Sequence, residues 1–264
     1  MSIRAIAFDL DDTLLRPDAS VSDYTAAVLR RAADRGIIIL PASGRTRDSM
    51  WPAVKRIGCA SAFISCNGAD IWTMERQLLK QELLPVELAH EVAHFAAERG
   101  IYCQTYSPSR FFYSIENEYA VSYANSSSLE GEYVGDLTAF IRHPVSKLLM
   151  MDTPERIADL YQEARSLFAG RASLTCSKPY FLECNPLLAT KGNALQWCSN
   201  HFGFHMSELL AFGDSLNDVS MLTVAGTGIA MGNARDDVKA LGFPVCGRND
   251  EDGVAHYIED NILR

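Results

Sequence analysis

A short apolar run, Ile3 to Phe8, ends directly in Asp9-Leu10-Asp11-Asp12-Thr13. The run is too short for a helix and reads as a buried strand. This junction constrains the fold more than any other stretch. In an open α/β sheet, ligands bind in the crevice beyond the carboxyl ends of the strands. Two carboxylates two residues apart at such an end can point into one crevice. One can act as a nucleophile while the other moves a proton, and both can help hold a hard cation such as Mg²⁺. Alone, the same spacing also serves as an ordinary turn or helix cap, since Asp bonds readily to nearby backbone N–H groups.

The segments that follow keep the rhythm such a sheet requires. Asp23–Arg35 reads as a helix closed by Gly36, Ile37–Leu40 as a strand, Arg47–Arg56 as a helix and Ala62–Ser65 as a strand. This is the βαβαβ pattern of a parallel sheet covered by helices. Ala69–Thr73 and Gln77–Leu83 read as a short hairpin. The tail resumes the alternation, with helices over Lys191–Phe202, Leu216–Leu222, Ala234–Ala240 and Glu251–Ile262 and strands over Leu209–Phe212, Gly228–Ala230 and Pro244–Cys246.

The middle differs. A helix over Pro85–Arg99 precedes paired strands Ile101–Tyr106 and Arg110–Ile115, then a polar stretch, Asn125–Gly135. Strand Lys147–Met151, helix Pro154–Leu167 and strands near Ala172–Cys176 and Tyr180–Cys184 follow. The expected fold is α/β: a Rossmann-like parallel sheet with helices on both faces, formed by residues 1–83 and 187–264. Residues 84–186 form an inserted α+β cap.

Composition narrows the function classes. The 264 residues are 48% hydrophobic and carry a formal net charge of −9, with no basic excess for a nucleic-acid backbone. No run approaches the ~18 to 20 apolar residues of a membrane span. The seven cysteines are dispersed and never spaced C-x-x-C, which argues against a disulfide framework or a zinc ribbon. Reduced thiols and the lack of a recognisable leader point to the cytoplasm.

Three further segments begin helices or follow strands. Ala42-Ser43-Gly44-Arg45 offers a hydroxyl and a backbone N–H at a strand end, a seat for a phosphoryl oxygen or a plain strand-to-helix turn. Lys191-Gly192 opens a helix, where the macrodipole favours anions rather than cations, so its position points to a bound anion. In Gly213-Asp214-Ser215-Leu216-Asn217-Asp218, two acids four apart share one face once the helix has begun. Taken together the segments supply a metal site with a phosphate seat.

In this order and spacing the four segments resemble the haloacid dehalogenase superfamily, and most closely its Cof-type sugar-phosphatase branch. Asn67-Gly68-Ala69 and Met231-Gly232-Asn233-Ala234 match the same branch. That branch usually has Gly where this chain has Asp12. The resemblance implies a Mg²⁺-dependent phosphatase of small phosphorylated metabolites. Asp9 is then the nucleophile, and Asp11 is the acid that later serves as base. Mg²⁺ lies among Asp9, the backbone carbonyl of Asp11 and Asp214, with Asp218 as ligand or supporting partner. Ser43 and Lys191 bind the phosphoryl oxygens. Gly44, Arg45, Asn67 and Asn217 are candidates for contacting the phosphate or its organic group. Asp11 must hold a proton near neutral pH for this role. The cap becomes a lid, and the protein a monomer or small homo-oligomer.

Other readings remain open from sequence. A phosphomutase needs a second phosphate pocket, and a non-catalytic Mg²⁺ or phosphate module has no need of the second aspartate. His90-Glu91-Val92-Ala93-His94 matches the H-E-x-x-H pattern of zinc proteases, without a clear third ligand.

Overall fold

The computed structural model describes residues 3–264. Its central sheet has four parallel strands, in the order Thr227–Ala230, Leu209–Gly213, Ala5–Phe8 and Ile38–Pro41. Single parallel bridges extend it, from Ala42 to Ile64 on one side and from Ala230 to Val245 on the other. The two innermost strands are buried on both faces, from Ala5 to Phe8 and from Leu209 to Gly213, as parallel strands under two helical layers must be.

Helices Asp23–Asp34, Arg47–Ile57 and Gly253–Ile258 pack together as one group. Helices Lys191–Phe202 and Val219–Val224 pack as another. Right-handed crossovers explain the division. The chain moves outward one way from Ala5–Phe8 and the other way from Leu209–Gly213, so its crossover helices fall on opposite faces. The strand order therefore reverses between these two central strands, and the crevice opens at their carboxyl ends.

Between Gln81 and Lys191 the chain builds a second, six-stranded sheet. Its strands run in the order Ala172–Thr175, Phe181–Pro186, Leu148–Met151, Tyr102–Tyr106, Arg110–Tyr113 and Glu130–Tyr133. All neighbours are antiparallel except the last pair. Strand alternation divides its residues cleanly. Leu148, Met150, Leu182 and Cys184 join Val92, Phe95 and Leu160 of helices Val86–Glu98 and Pro154–Leu167 in one core. Leu149, Phe181 and Glu183 face the other way, toward the crevice.

Several elements differ from expectation. The polar stretch Asn125–Gly135 contains the end of helix Glu118–Ser127 and the whole of strand Glu130–Tyr133. The strand is exposed along its length, so it carries no apolar alternation to read. It pairs with Arg110–Tyr113, and Arg110 forks to Glu130 and Glu132. Pro244–Cys246 contributes one bridge rather than a strand. The helix expected over Leu216–Leu222 begins as a tight turn, Leu216–Asp218, before Val219–Val224. The helix expected over Ala234–Ala240 shrinks to Asp236–Lys239.

All seven cysteines are free. Burial raises the thiols of Cys59, Cys176 and Cys246 to about 11, and those of Cys184 and Cys198 to about 12.

Gly68 shows how the two ends of the chain meet. Its φ is +106°, and an added Cβ would lie 2.4 Å from the Thr190 carbonyl oxygen. Thr190 caps the helix that Lys191 opens, accepting from the Asn193 N–H at 3.1 Å. Both the backbone conformation and the space demand glycine. Gly68→Ala is expected to lower stability by about 2 kcal/mol or more, read from the urea midpoint. An unchanged midpoint would mean that the loop and the helix start do not touch.

Candidate active site

Asp9 follows strand Ala5–Phe8, and its N–H donates to the Phe212 carbonyl on the neighbouring strand at 3.1 Å. Asp214 follows that neighbour. The strand pairing therefore brings together two carboxylates some two hundred positions apart. Thr13 steadies Asp214, its hydroxyl donating to Oδ1 at 2.7 Å.

Lys191 lies beneath them, 0% exposed. Its ammonium sits 2.5 Å from Asp9 Oδ1 and 2.5 Å from Asp218 Oδ1. Asp218 Oδ2 accepts from the backbone N–H groups of Asp214 and Ser215 at 2.9 and 3.0 Å. Asp218 thus ties the lysine to the very turn that presents Asp214. At its helix start Lys191 faces two of the chain's own anions, the Asp9 and Asp218 carboxylates.

One ammonium cannot balance the cluster. Asp9, Asp214 and Asp218 are all buried, and each offers an oxygen within 4.8 Å of the others'. Burial, Asp218 and the other neighbouring carboxylates hold Asp9 well above the usual carboxylate range, with Lys191 opposing. Burial and Asp218 push Asp214 up to about 8. Burial opposes the charge on Lys191, but Asp218 and Asp9 outweigh it and keep the ammonium charged. A buried, oxygen-only donor set with surplus negative charge fits a hard divalent cation. Among the described residues this is the one such group of three.

Asp11 is held differently. Arg45 forks onto it, with Nε 2.8 Å from Oδ2 and Nη2 2.7 Å from Oδ1. Burial works against ionisation, yet the Arg45 fork outweighs it and draws the Asp11 pKa below its usual value. Sequence reasoning asks Asp11 to hold a proton, and in this arrangement Arg45 pulls the other way. Asp12 beside it has φ +57°, a left-handed conformation that Asp tolerates better than most residues. That accounts for Asp at a position where the related branch carries Gly.

Asp9, Asp11, Ser43, Gly44, Arg45, Asp214 and Asn217 line one cavity of about 90 Å³. Lys191 and Asp218 are buried at its base, and Asn67 is a brace. Asn67 Oδ1 accepts from Asn217 Nδ2 at 3.0 Å, and its own Nδ2 donates to Asn185 Oδ1 at 3.4 Å. Its φ of +57° also fits the turn before Gly68. Sequence reasoning missed Thr13 and the cap wall, which includes Tyr123, Lys147, Leu149, Lys178, Phe181 and Glu183. Thr13 stands in the acidic motif itself. The cap residues carry no local signal, because a helix, a bend and two strands of the cap bring them together only in the folded chain.

The H-E-x-x-H segment is not a metal site. His90 Nε2 donates to the Ile141 carbonyl at 2.9 Å, Glu91 pairs with Arg171 at 2.5 Å, and His94 lies 3.2 Å from Glu98. Each member has a different partner, which removes the zinc-protease reading.

The raised Asp214 pKa gives a sign for stability against pH. Its folded value exceeds the unfolded one, so its contribution is full at acid pH and is lost as pH rises through about 8. Metal-free protein is expected to lose thermal stability from about pH 4 to about pH 8 from this group. Added Mg²⁺ or Mn²⁺ is expected to raise the melting temperature more at pH 8 than at pH 6. An equal rise at both, measured by calorimetry, would contradict the buried acidic cluster.

A family model for haloacid dehalogenase-like hydrolases matches residues 6–258. The HMP-PP phosphatase of Serratia proteamaculans (strain 568) is 33% identical over 263 residues, spanning 97% of this chain and 94% of that protein. The 5-amino-6-(5-phospho-D-ribitylamino)uracil phosphatase YcsE of Bacillus subtilis (strain 168) is 28% identical and spans 100% and 97%. Among solved structures, a haloacid dehalogenase-like hydrolase from B. subtilis superposes with a TM-score of 0.90 at 26% identity, covering 99% of this chain and 100% of that one. The chain belongs to the haloacid dehalogenase-like hydrolase family, in its Cof-type branch.

Proposed function

We propose that this protein is a Mg²⁺-dependent phosphatase that hydrolyses small phosphomonoesters through an aspartyl-phosphate on Asp9. The observation that carries this reading is the position of Asp9. It is 6% exposed, anchored by Lys191 through one oxygen, and still part of the cavity wall that holds Ser43 and Asp11. A nucleophile needs that combination of fixed direction and access.

Asp9 attacks phosphorus and the ester P–O bond breaks. Asp11 gives its proton to the leaving oxygen. It then takes a proton from the water that attacks the aspartyl-phosphate, and inorganic phosphate leaves. The Arg45 fork sets the timing of protonation. An incoming phosphate dianion competes for the guanidinium, and an Asp11 released from it gains a proton through burial and the nearby negative charge. Ser43 and the adjacent backbone N–H groups receive the phosphoryl oxygens. Asp9, the Asp11 carbonyl and Asp214 would hold Mg²⁺, which would neutralise charge on the phosphoryl group, while Asp218 fixes Lys191 and the Asp214 turn.

The named activities of the Serratia and Bacillus relatives support a small phosphorylated metabolite as substrate. A cavity of about 90 Å³ holds a phosphoryl group and a few more atoms. Residues 84–186 then act as a lid that opens for anything larger. No helix among the described residues is long and apolar enough to cross a membrane, and the free thiols suit a reducing cytoplasm.

The test is phosphate release from p-nitrophenyl phosphate with Mg²⁺. Asp9→Asn is expected to lower kcat at least about 10³-fold with the fold intact. Turnover that survives this substitution would remove Asp9 as nucleophile.

A further inference from the structure

A phosphoryl seat made of backbone N–H groups needs each carbonyl of its loop held by a partner of its own. In a trans peptide the C=O and N–H face opposite ways, so holding a carbonyl outside aims the following N–H inside. Ser43 O accepts from Asn67 N–H at 3.0 Å, and Arg45 O accepts from Cys66 N–H at 2.8 Å. Both partners belong to the catalytic core. The carbonyl between them, Gly44 O, takes its partner from the cap: Lys147 Nζ at 2.8 Å. The N–H of that same peptide belongs to Arg45, and it donates to Ser43 Oγ at 3.1 Å. The side chain it carries is the one that forks onto Asp11.

We infer that Lys147, aimed by Glu183, is a positioning residue that completes the phosphoryl seat by fixing the Gly44–Arg45 peptide when the cap docks.

Three further observations support this. Lys147 and Glu183 form an ion pair at 2.7 Å, with side chains 3% and 2% exposed. Replacing such a pair with apolar residues is often neutral or stabilising, so stability alone gives little reason to keep it. Here the burial also leaves Glu183 Oε2 with no partner, an added cost of a buried polar atom. Second, the Gly44 backbone runs close to both sides of the junction. An added Cβ would lie 3.0 Å from Asn67 Oδ1 and 3.4 Å from Glu183 Oε1. Third, glycine beside the peptide leaves its rotation nearly unrestrained by sterics, so hydrogen bonds decide its direction: a neutral one to Ser43 Oγ within the loop and the one from Lys147 outside it. Glu183 outweighs the effect of burial on Lys147 and keeps it charged, and a charged donor makes the stronger bond.

The kinetic arm rests on the phosphatase reading; the exchange arm does not. Lys147→Met keeps the length of the side chain and removes the donor. Expected is a fall in kcat of about 10- to 100-fold, by a similar factor for p-nitrophenyl phosphate and glycerol 3-phosphate, with KM little changed. Orthovanadate affinity, measured with Mg²⁺ by calorimetry, should fall in parallel. Hydrogen exchange in the unliganded protein should quicken within residues 43–46 while the rest of the core stays protected. A loss confined to one ester would make Lys147 a contact for the organic group and overturn the inference. So would unchanged kcat with unchanged exchange. Should Lys147→Met fail to fold, Glu183→Gln serves instead, with the same pattern expected at smaller size. If the native chain turns over neither ester, the phosphatase reading fails, and the exchange result alone decides the role of Lys147.

Discussion

A single ammonium buried among carboxylates sets the terms for the catalytic centre. Lys191 touches Asp9 just past the first strand and Asp218 from the last third of the chain. Isolated in a protein interior, any of these charges would be prohibitive. Together they are tolerable only if every element that carries them stays in register. The lysine needs the helix start at Thr190, which needs Gly68 to let the loop approach. Asp218 needs the tight turn after Gly213, where an added Cβ would sit 2.4 Å from the Asp218 Cβ. The three-dimensional position of Asp9 is thus fixed by electrostatic necessity at its base and by close backbone approach around it.

The cap obeys a different logic. Its larger core is apolar and lies between its sheet and two helices, on the side away from the crevice, and a smaller apolar cluster with Tyr102, Phe111, Tyr123 and Met151 lies on the other face. The opposite face mixes Leu149 and Phe181 with a buried ion pair. A face meant for permanent packing would be apolar throughout, whereas this one carries polar groups whose partners lie partly on the core. Lys147 to Gly44 O and Ser215 Oγ to Ser177 O cross the junction directly. Specific hydrogen bonds rather than a broad apolar seam hold the cap over the site there.

Much of this was legible in the chain. Short apolar runs ending in acidic, hydroxyl or glycine residues marked the strand ends, because the parallel sheet buries its strands on both faces and gathers polar groups beyond them. Asp9, Ser43 and Asp214 could be placed that way. Lys191 could be singled out by its unfavourable position on the helix dipole, but not its partners, since the register of two strands decides which carboxylates reach it. The Arg45 fork on Asp11 was hidden for the same reason. Strand Glu130–Tyr133 was invisible because an exposed edge strand needs no apolar side chains. Lys147 was one of many dispersed basic residues in the cap. Only the docking of two separate sheets makes it different from the others.

The cysteines carry a consequence of their own. Nucleophilic sulfur is thiolate, and burial holds five of the thiols near 11 or 12. Cys66, next to the phosphoryl seat, is raised further by burial and by Asp70. Near neutral pH almost no thiolate exists to meet an oxidant or an alkylating agent. The residue whose N–H holds the Arg45 carbonyl at 2.8 Å, Cys66, thus carries its sulfur as a thiol rather than a thiolate.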